Sequence, residues 1–133
     1  MKSLFINLIF VAMLTVSGCA QSQNSTAVNR QDVNATQAKE LIINEKEMVI
    51  LDVRTREEFA NGHVAGASNL DFYAPDFEQQ LEQLDTTKTY LLYCASGNRS
   101  GKAASLMQNK GFNKIINSEA GFKELQKAAV PTK

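Results

Sequence analysis

The chain has 133 residues, of which 44% are hydrophobic, which is enough for one domain with a substantial core and too few for two. Its 14 basic and 14 acidic residues are interspersed along the chain and give a formal net charge of zero. This balance excludes the basic surface field that holds nucleic acid by counterion release, so partners must be recognised locally.

The first 18 residues have the pattern of a secretory signal peptide. Lys2 is followed by an apolar stretch, Leu4–Val16, and then by small residues. This stretch is too short for a membrane-spanning helix. The segment VSGC that ends at Cys19 resembles a bacterial lipobox, in which cleavage falls before the cysteine and the cysteine carries the lipid.

We therefore predict a signal peptide at residues 1–18 and a lipidated Cys19. A soluble exported protein and an uncleaved anchor are the alternatives. A lipid on Cys19 places the protein in the cell envelope, on the periplasmic face of a membrane. By lipoprotein convention, Ala20 at the next position favours the outer membrane in a cell that has one.

The polar segment AQSQNSTAVNR lacks hydrophobic periodicity, which is typical of a flexible tether. We assign residues 19–30 to the lipidated cysteine and tether, and residues 31–133 to one folded domain. If Cys19 is lipidated, Cys94 is left with no partner in its own chain.

Within the domain, helical and extended patterns alternate from Val33 onward. Two capping-box patterns, Asn34 with Gln37 and Thr55 with Glu58, each predict a helix start. Two apolar runs predict strands buried on both faces, at residues 48–51 and 89–93.

The remaining segments complete the alternation. The further predicted elements are an edge strand around residues 67–70, a helix opening at Pro75, a helix over 99–110, a strand at 114–116 and a last helix containing Phe122 and Leu125. This order predicts an α/β fold with a small, mainly parallel sheet and helices on both faces.

Cys94 directly follows the predicted strand at residues 89–93 and precedes a predicted helix. In open α/β sheets this place binds ligands, because the helix N-terminus offers unpaired N–H groups and partial positive charge. Gly97 and the small residues Ala95 and Ser96 allow the loop to curl into an anion-binding nest, and Arg99 adds a cation. A cysteine in such a loop has a lowered pKa and is a thiolate near neutral pH. A cysteine alone at this place would more often be a buried core residue.

Two segments carry a family resemblance. DVRTREEFANGHVAGASNL at residues 52–70 and CASGNRS at residues 94–100 resemble the motifs of the single-domain rhodaneses, in the family's order. The resemblance covers roughly residues 33–125. It implies a rhodanese-like fold and a sulfurtransferase that uses a thiosulfate or persulfide donor and a thiol or cyanide acceptor. We expect a monomer with no cofactor and no metal.

The resemblance also implies residue roles. Cys94 would be the catalytic nucleophile that accepts sulfur. The substrate or anion site would consist of Ala95, Ser96, Gly97, Asn98, Arg99 and Arg54.

For some of the matched positions a structural role is favoured. Arg54 is expected in a structural ion pair near the loop rather than in direct substrate contact, and Asp52 as a strand-end cap. Glu58 belongs to its capping box, His63 is expected to pack structurally, and Ser100 to stabilise the first helical turn.

The chain departs from the family pattern at Ala95, where many members carry a basic residue, and at residues 120–122, where a longer glycine and aromatic segment is reduced to AGF. The first departure weakens the positive field of the loop and disfavours a strong preference for thiosulfate.

Two alternative functions are weighed against the sulfurtransferase. Phosphatases and arsenate reductases with related loops place five residues between cysteine and arginine, whereas four lie between Cys94 and Arg99, which favours a single sulfur atom over a tetrahedral ion. The other alternative is a membrane-tethered binding or sulfur-carrier module without free turnover.

Overall fold

The computed structural model describes residues 29–133. The predicted signal peptide, the lipobox and Cys19 lie outside the described residues. The elements alternate along the chain in the order β1 (Asn29–Val33), α1 (Ala35–Asn44), β2 (Val49–Asp52), α2 (Arg56–Ala60), β3 (Ser68–Asn69), α3 (Phe77–Glu82), β4 (Thr89–Tyr93), α4 (Asn98–Asn109), β5 (Lys114–Ser118) and α5 (Phe122–Lys127).

The five strands form one parallel sheet in the order β1-β5-β4-β2-β3. The central strand β4 packs on both faces, because Tyr90 and Leu92 enter one apolar cluster while Leu91 and Tyr93 enter the other. Helices α3 and α4 cover the first face, and α1 and α5 cover the second. The predicted fold class, a small parallel sheet with helices on both faces, is confirmed.

Both predicted capping boxes are present. The Asn34 side chain accepts the Gln37 N–H at 3.0 Å, and the Gln37 side chain accepts the Asn34 N–H at the same distance. Thr55 and Glu58 make the equivalent pair at the start of α2, at 3.2 and 2.9 Å. Because the partners are three residues apart, the sequence pattern alone was sufficient to locate these two helix starts.

The sequence analysis missed strand β1. Its sequence NRQDV is polar, and only Val33 is buried among residues 30–33, because the strand lies at the sheet edge with β5 as its one neighbour. Residues 29 and 30, assigned to the tether, belong to the sheet. Arg30 also holds the strand to α4, since its guanidinium donates to Ser105 Oγ at 2.9 Å.

The predicted helix opening at Pro75 was wrong. Helix α3 begins at Phe77, and the Phe77 N–H donates to the Ala74 carbonyl at 3.0 Å across a turn. Pro75 occupies the second position of that turn, where its fixed φ is as favourable as at the first position of a helix.

Among residues 29–133, no helix combines the length and apolar character needed to cross a bilayer.

Candidate active site

Cys94 lies at the carboxyl end of β4, and the loop after it leads directly into α4. Gly97 is the N-cap of this 12-residue helix and has a left-handed φ of +83°. A Cβ at Gly97 would lie 2.5 Å from the Glu119 carbonyl oxygen, so the loop turns where only glycine fits. The loop is thereby pressed against the segment that follows β5.

The Cys94 thiol is surrounded by hydrogen-bond donors, although it has no exposed surface. The Gly97 N–H donates to Cys94 Sγ at 3.1 Å. Burial raises the pKa of the thiol, but hydrogen bonds from the Ser100 hydroxyl and from the backbone of Ser100, Ser96 and Gly97 outweigh it, and the net pKa is lowered. The surroundings of the sulfur therefore favour the thiolate.

Ser100 supplies the side-chain donor in this site. It is fully buried, and its Oγ lies 3.2 Å from the Gly97 carbonyl oxygen and 3.4 Å from that of Ser118. The hydroxyl has one proton and can donate it to one acceptor at a time. A sulfur anion is a stronger acceptor than either carbonyl, so we expect the hydroxyl to donate to Cys94 Sγ when the thiol is ionised. The sequence analysis gave Ser100 a helical role only.

Arg99 is bound by a carboxylate. Its two terminal nitrogens donate to Glu58 Oε2 at 2.7 Å and Oε1 at 2.9 Å, and its Cζ lies 5.4 Å from the centre of the Tyr73 ring. This bidentate pair lowers the pKa of Glu58 to about 2. Glu58 thus has a second role beside its capping box, and it neutralises much of the positive charge that the sequence analysis assigned to the loop.

Arg54 forms a buried structural ion pair. Its Nη2 donates to Asp52 Oδ2 at 2.6 Å and to the Gly62 carbonyl at 2.6 Å. Its Cζ lies 4.1 Å from the centre of the Phe122 ring. With 5% of its surface exposed, Arg54 has the structural surroundings that the sequence analysis favoured for it.

The turn between β5 and α5 supports the other side of the cysteine loop. The Phe122 N–H donates to the Cys94 carbonyl at 2.9 Å. A Cβ at Gly121 would overlap the Ala95 carbonyl oxygen, so the two backbones are in direct contact. The segment AGF at residues 120–122, noted in the sequence as a departure from the family pattern, is the backbone that fixes the loop.

A cleft of about 550 Å³ opens beside the loop and reaches Ala95, the residue after the cysteine. Phe122 forms an apolar wall, and Arg54 and Glu58, each already in an ion pair, also line the cleft. Asn61, Lys123 and Gln126 contribute further polar groups. The sequence analysis missed these three polar residues, because nothing in their local spacing distinguishes them from ordinary surface positions.

The remaining predicted site residues lie at the surface of the loop. Ala95, Ser96 and Asn98 are exposed, so solvent is one residue away from the buried thiol.

His63, the single histidine, is held by packing: its ring stacks on Phe59 at 3.8 Å and its Nδ1 lies 3.0 Å from the Phe59 carbonyl. Within residues 29–133 no group of three or more His, Cys, Asp and Glu side chains could hold a metal ion.

The parallel α/β sheet and the cysteine loop at the start of α4 together define the structural class of this protein. Residues 34–128 match the Rhodanese-like domain family, and the chain belongs to that family. The match includes the whole cysteine loop and every strand except β1.

Relatives of known name span different parts of the chain. It is 36% identical over 75 residues to the uncharacterized protein YqhL of Bacillus subtilis. That alignment covers 56% of this chain and 58% of YqhL, so the chain spans less than two thirds of YqhL. It is 32% identical over 101 residues to the thiosulfate sulfurtransferase GlpE of Ectopseudomonas mendocina, covering 75% of this chain and 87% of that protein.

Solved structures show the same fold. A rhodanese-related protein from Thermoplasma volcanium superimposes with a TM-score of 0.67 at 28% identity, covering 77% of this chain and 97% of that one. The protein SSP1007 of Staphylococcus saprophyticus gives a TM-score of 0.64 at 27% identity, covering 71% and 92%.

Proposed function

We propose that this protein is a sulfurtransferase that moves a sulfane sulfur from thiosulfate or a persulfide to a thiophilic acceptor through a persulfide on Cys94. The observation that carries the proposal is a buried cysteine between the central strand and α4, whose sulfur accepts the Gly97 N–H at 3.1 Å. The lowered pKa of its thiol agrees with this geometry. Membership of a family whose relatives include named sulfurtransferases supports the same chemistry.

In the first step the Cys94 thiolate attacks the outer sulfur of the donor. With thiosulfate, a bond forms between Cys94 Sγ and that sulfur, the S–S bond of the donor breaks, and sulfite leaves with the bonding electron pair. No proton is transferred in this step, because it starts from the thiolate, the form that the lowered pKa of Cys94 favours. The product is the Cys94 persulfide anion.

In the second step an acceptor attacks the outer sulfur of the persulfide. The bond from that sulfur to Cys94 Sγ breaks and Cys94 leaves as the thiolate, which the loop donors stabilise. With cyanide the product is thiocyanate, and with a thiolate it is a new persulfide. Because the donor product leaves before the acceptor reacts, the kinetics are ping-pong.

The loop donors supply most of the electrostatic stabilisation in this mechanism. Arg99 is paired with Glu58 and Arg54 with Asp52, so the positive charge of each guanidinium is partly neutralised. The backbone N–H groups at the start of α4 and the Ser100 hydroxyl remain to stabilise charge on sulfur.

Substitution of Cys94 by serine tests the proposal. We expect Cys94→Ser to lose all transfer of sulfur from thiosulfate or a persulfide, measured as sulfite release and acceptor product. Mass spectrometry of the donor-treated wild type should show one added sulfur atom on the peptide that contains Cys94. Turnover retained by Cys94→Ser would refute the mechanism.

The complete burial of Cys94 favours a second candidate, a sulfur carrier that yields its persulfide only to a docked partner. The two candidates differ in one measurement. A carrier is loaded by a small donor but holds its persulfide in the presence of small thiols or cyanide, whereas the enzyme releases it with repeated turnover.

We further propose that the chain is an exported lipoprotein anchored to an envelope membrane through acylated Cys19, and that its domain is a monomer. The pattern of residues 1–19 supports export and acylation. Mass spectrometry of the mature N-terminus should show an acylated cysteine at position 19, and Cys19→Ala should release the protein from the membrane fraction. An unmodified or uncleaved N-terminus would contradict this.

A further inference from the structure

The cleft beside the cysteine loop is larger than an inorganic sulfur donor requires. Its volume of about 550 Å³ lies in the range of pockets that bind organic ligands, whereas a thiosulfate ion is scarcely larger than a sulfate. The cleft reaches Ala95, next to the nucleophile, so an organic molecule bound in it could place a sulfur atom at the loop.

The lining of the cleft combines an apolar wall with one available cation. Arg54 lines the cleft and is paired with Asp52 at 2.6 Å. Glu58 also lines the cleft, and its carboxylate is held by Arg99 at 2.7 Å. Lys123 also lines the cleft, is exposed, and forms no ion pair with any carboxylate among residues 29–133. It is therefore the cleft cation free to bind an anionic ligand.

The other lining residues indicate what accompanies the anion. Phe122 presents a ring beside Arg54, which suits a hydrocarbon chain. Asn61 and Gln126 offer amide donors and acceptors on the rim, and both are exposed. A cation, an aromatic wall and two amides together match a short organic chain that ends in a carboxylate.

We propose that Lys123 is a specificity-determining residue that binds the carboxylate of a small organic thiol, the acceptor of sulfur from Cys94. This inference rests on the proposed sulfur transfer and names the substrate class. The Cys94 persulfide anion first takes a proton from water, and the thiolate of the acceptor then attacks its outer sulfur. The S–S bond to Cys94 breaks, its electron pair leaves with Cys94 as thiolate, and the proton stays on the transferred sulfur.

The experiment uses two acceptors that differ only in charge, 3-mercaptopropionate and 3-mercaptopropionamide. The full chain is loaded with sulfur from thiosulfate or, where thiosulfate does not load it, from a persulfide donor. Loading is verified by mass, and transfer is followed in a single turnover. The ratio of the two rates is compared between wild type and variants, so the intrinsic reactivity of each thiol cancels.

We expect Lys123→Ala to lower the acid-to-amide ratio by roughly threefold to fivefold, the effect of one partly screened ion pair. Lys123→Glu should lower it further, and added salt should lower the wild-type ratio but not that of Lys123→Ala. Lys114→Ala removes the same charge from an exposed position at the opposite end of the sheet, and should leave the ratio at the wild-type value.

A ratio that is equal in the wild type, Lys123→Ala and Lys123→Glu would overturn the role of Lys123 while leaving the proposed sulfur transfer intact. Failure of the wild type to acquire sulfur from both thiosulfate and a persulfide donor would overturn the proposed function itself, and the acceptor specificity with it. The loading measurement separates these two results before any acceptor is added.

Discussion

At the scale of single residues, burial and hydrogen bonding have opposite effects on the pKa of the Cys94 thiol. The thiol is fully buried, which favours the neutral form, yet the donors around it lower its pKa. Ser100 is the one side chain among those donors. Its hydroxyl therefore offers a way to change the pKa of Cys94 without altering the backbone of the loop.

We expect Ser100→Ala to raise the pKa of Cys94, because the thiolate loses a donor while the backbone N–H groups remain. The pH profile of alkylation by iodoacetamide should shift to higher pH. Ser105→Ala changes an exposed serine of the same helix and should leave the profile in place. An unshifted profile in Ser100→Ala would show that the backbone alone tunes the thiol.

At the scale of elements, Glu58 connects the start of α2 to the start of α4. It closes the capping box with Thr55 and holds Arg99 in a bidentate pair. The pair lowers the pKa of Glu58 to about 2 from its usual 4.5. A lowered carboxyl pKa contributes stability that is complete above the unfolded value and is lost as pH falls towards the folded one.

Glu58→Gln keeps the capping geometry and removes the charge. We expect the melting temperature of the wild type to exceed that of Glu58→Gln near neutral pH, and the difference to shrink between pH 4.5 and about 2, where Glu58 becomes protonated. Glu124→Gln is the control, because the Glu124 side chain accepts the N–H of the N-cap residue Gly121 as Glu58 accepts that of Thr55, yet Glu124 forms no ion pair among residues 29–133. A difference that does not depend on pH would contradict a contribution from the Arg99 pair.

The turn from β4 into α4 depends on Gly97 for two separate reasons. Gly97 and Gly111 have nearly equal left-handed φ values, +83° and +81°. A Cβ at Gly97 would meet the Glu119 backbone, whereas a Cβ at Gly111 would meet nothing within 4 Å. Substitution of Gly111 therefore measures backbone strain alone, whereas substitution of Gly97 adds steric overlap to the same strain.

We expect Gly111→Ala to destabilise the protein by about 1 to 2 kcal/mol, from backbone strain alone. Gly97→Ala should cost about 1 to 3 kcal/mol more, because the loop must also move away from Glu119. Denaturant unfolding of both variants measures the difference. An equal loss of unfolding free energy in the two variants would mean that the loop moves away from Glu119 without cost, which contradicts a rigid anion-binding turn.

At the scale of the whole molecule, a buried polar network joins β2, β4 and the segment after α2. The Tyr93 hydroxyl donates to Asp52 Oδ2 at 2.6 Å and accepts the Val64 N–H at 3.0 Å, while Asp52 also holds Arg54. Burial, together with Asp52, raises the pKa of Tyr93, so the hydroxyl stays neutral and keeps its proton for the carboxylate. The network connects β4, which ends just before Cys94, to β2 and to the segment after α2.

We expect Tyr93→Phe to destabilise the fold by about 1 to 3 kcal/mol, because it leaves a buried N–H and a buried carboxylate short of partners. Tyr90→Phe on the same strand removes one hydroxyl that donates to the Asp85 carbonyl, and should cost about 0.5 to 1.5 kcal/mol. Denaturant unfolding measures the free energy of unfolding of both variants. A loss for Tyr93→Phe no larger than that for Tyr90→Phe would argue against the network.

The features that sequence patterns predicted correctly are those whose causes are local. The capping boxes pair residues three apart, the strand at residues 89–93 is a continuous apolar run, and the position of Cys94 between strand and helix follows from both. Hydrogen-bond chemistry and hydrophobic periodicity act over a few residues, so one stretch of sequence contains the whole cause.

The features decided by the tertiary structure pair residues far apart in the chain. Strand β1 exists because it pairs with β5, where Asn29 lies beside Lys114. Glu58 and Arg99 are 41 residues apart, and their pairing determines how much positive charge the loop retains. The cleft joins Asn61 to Lys123 and Gln126. Long-range pairing and charge neutralisation depend on which surfaces the folded chain brings together, and no local pattern contains that information.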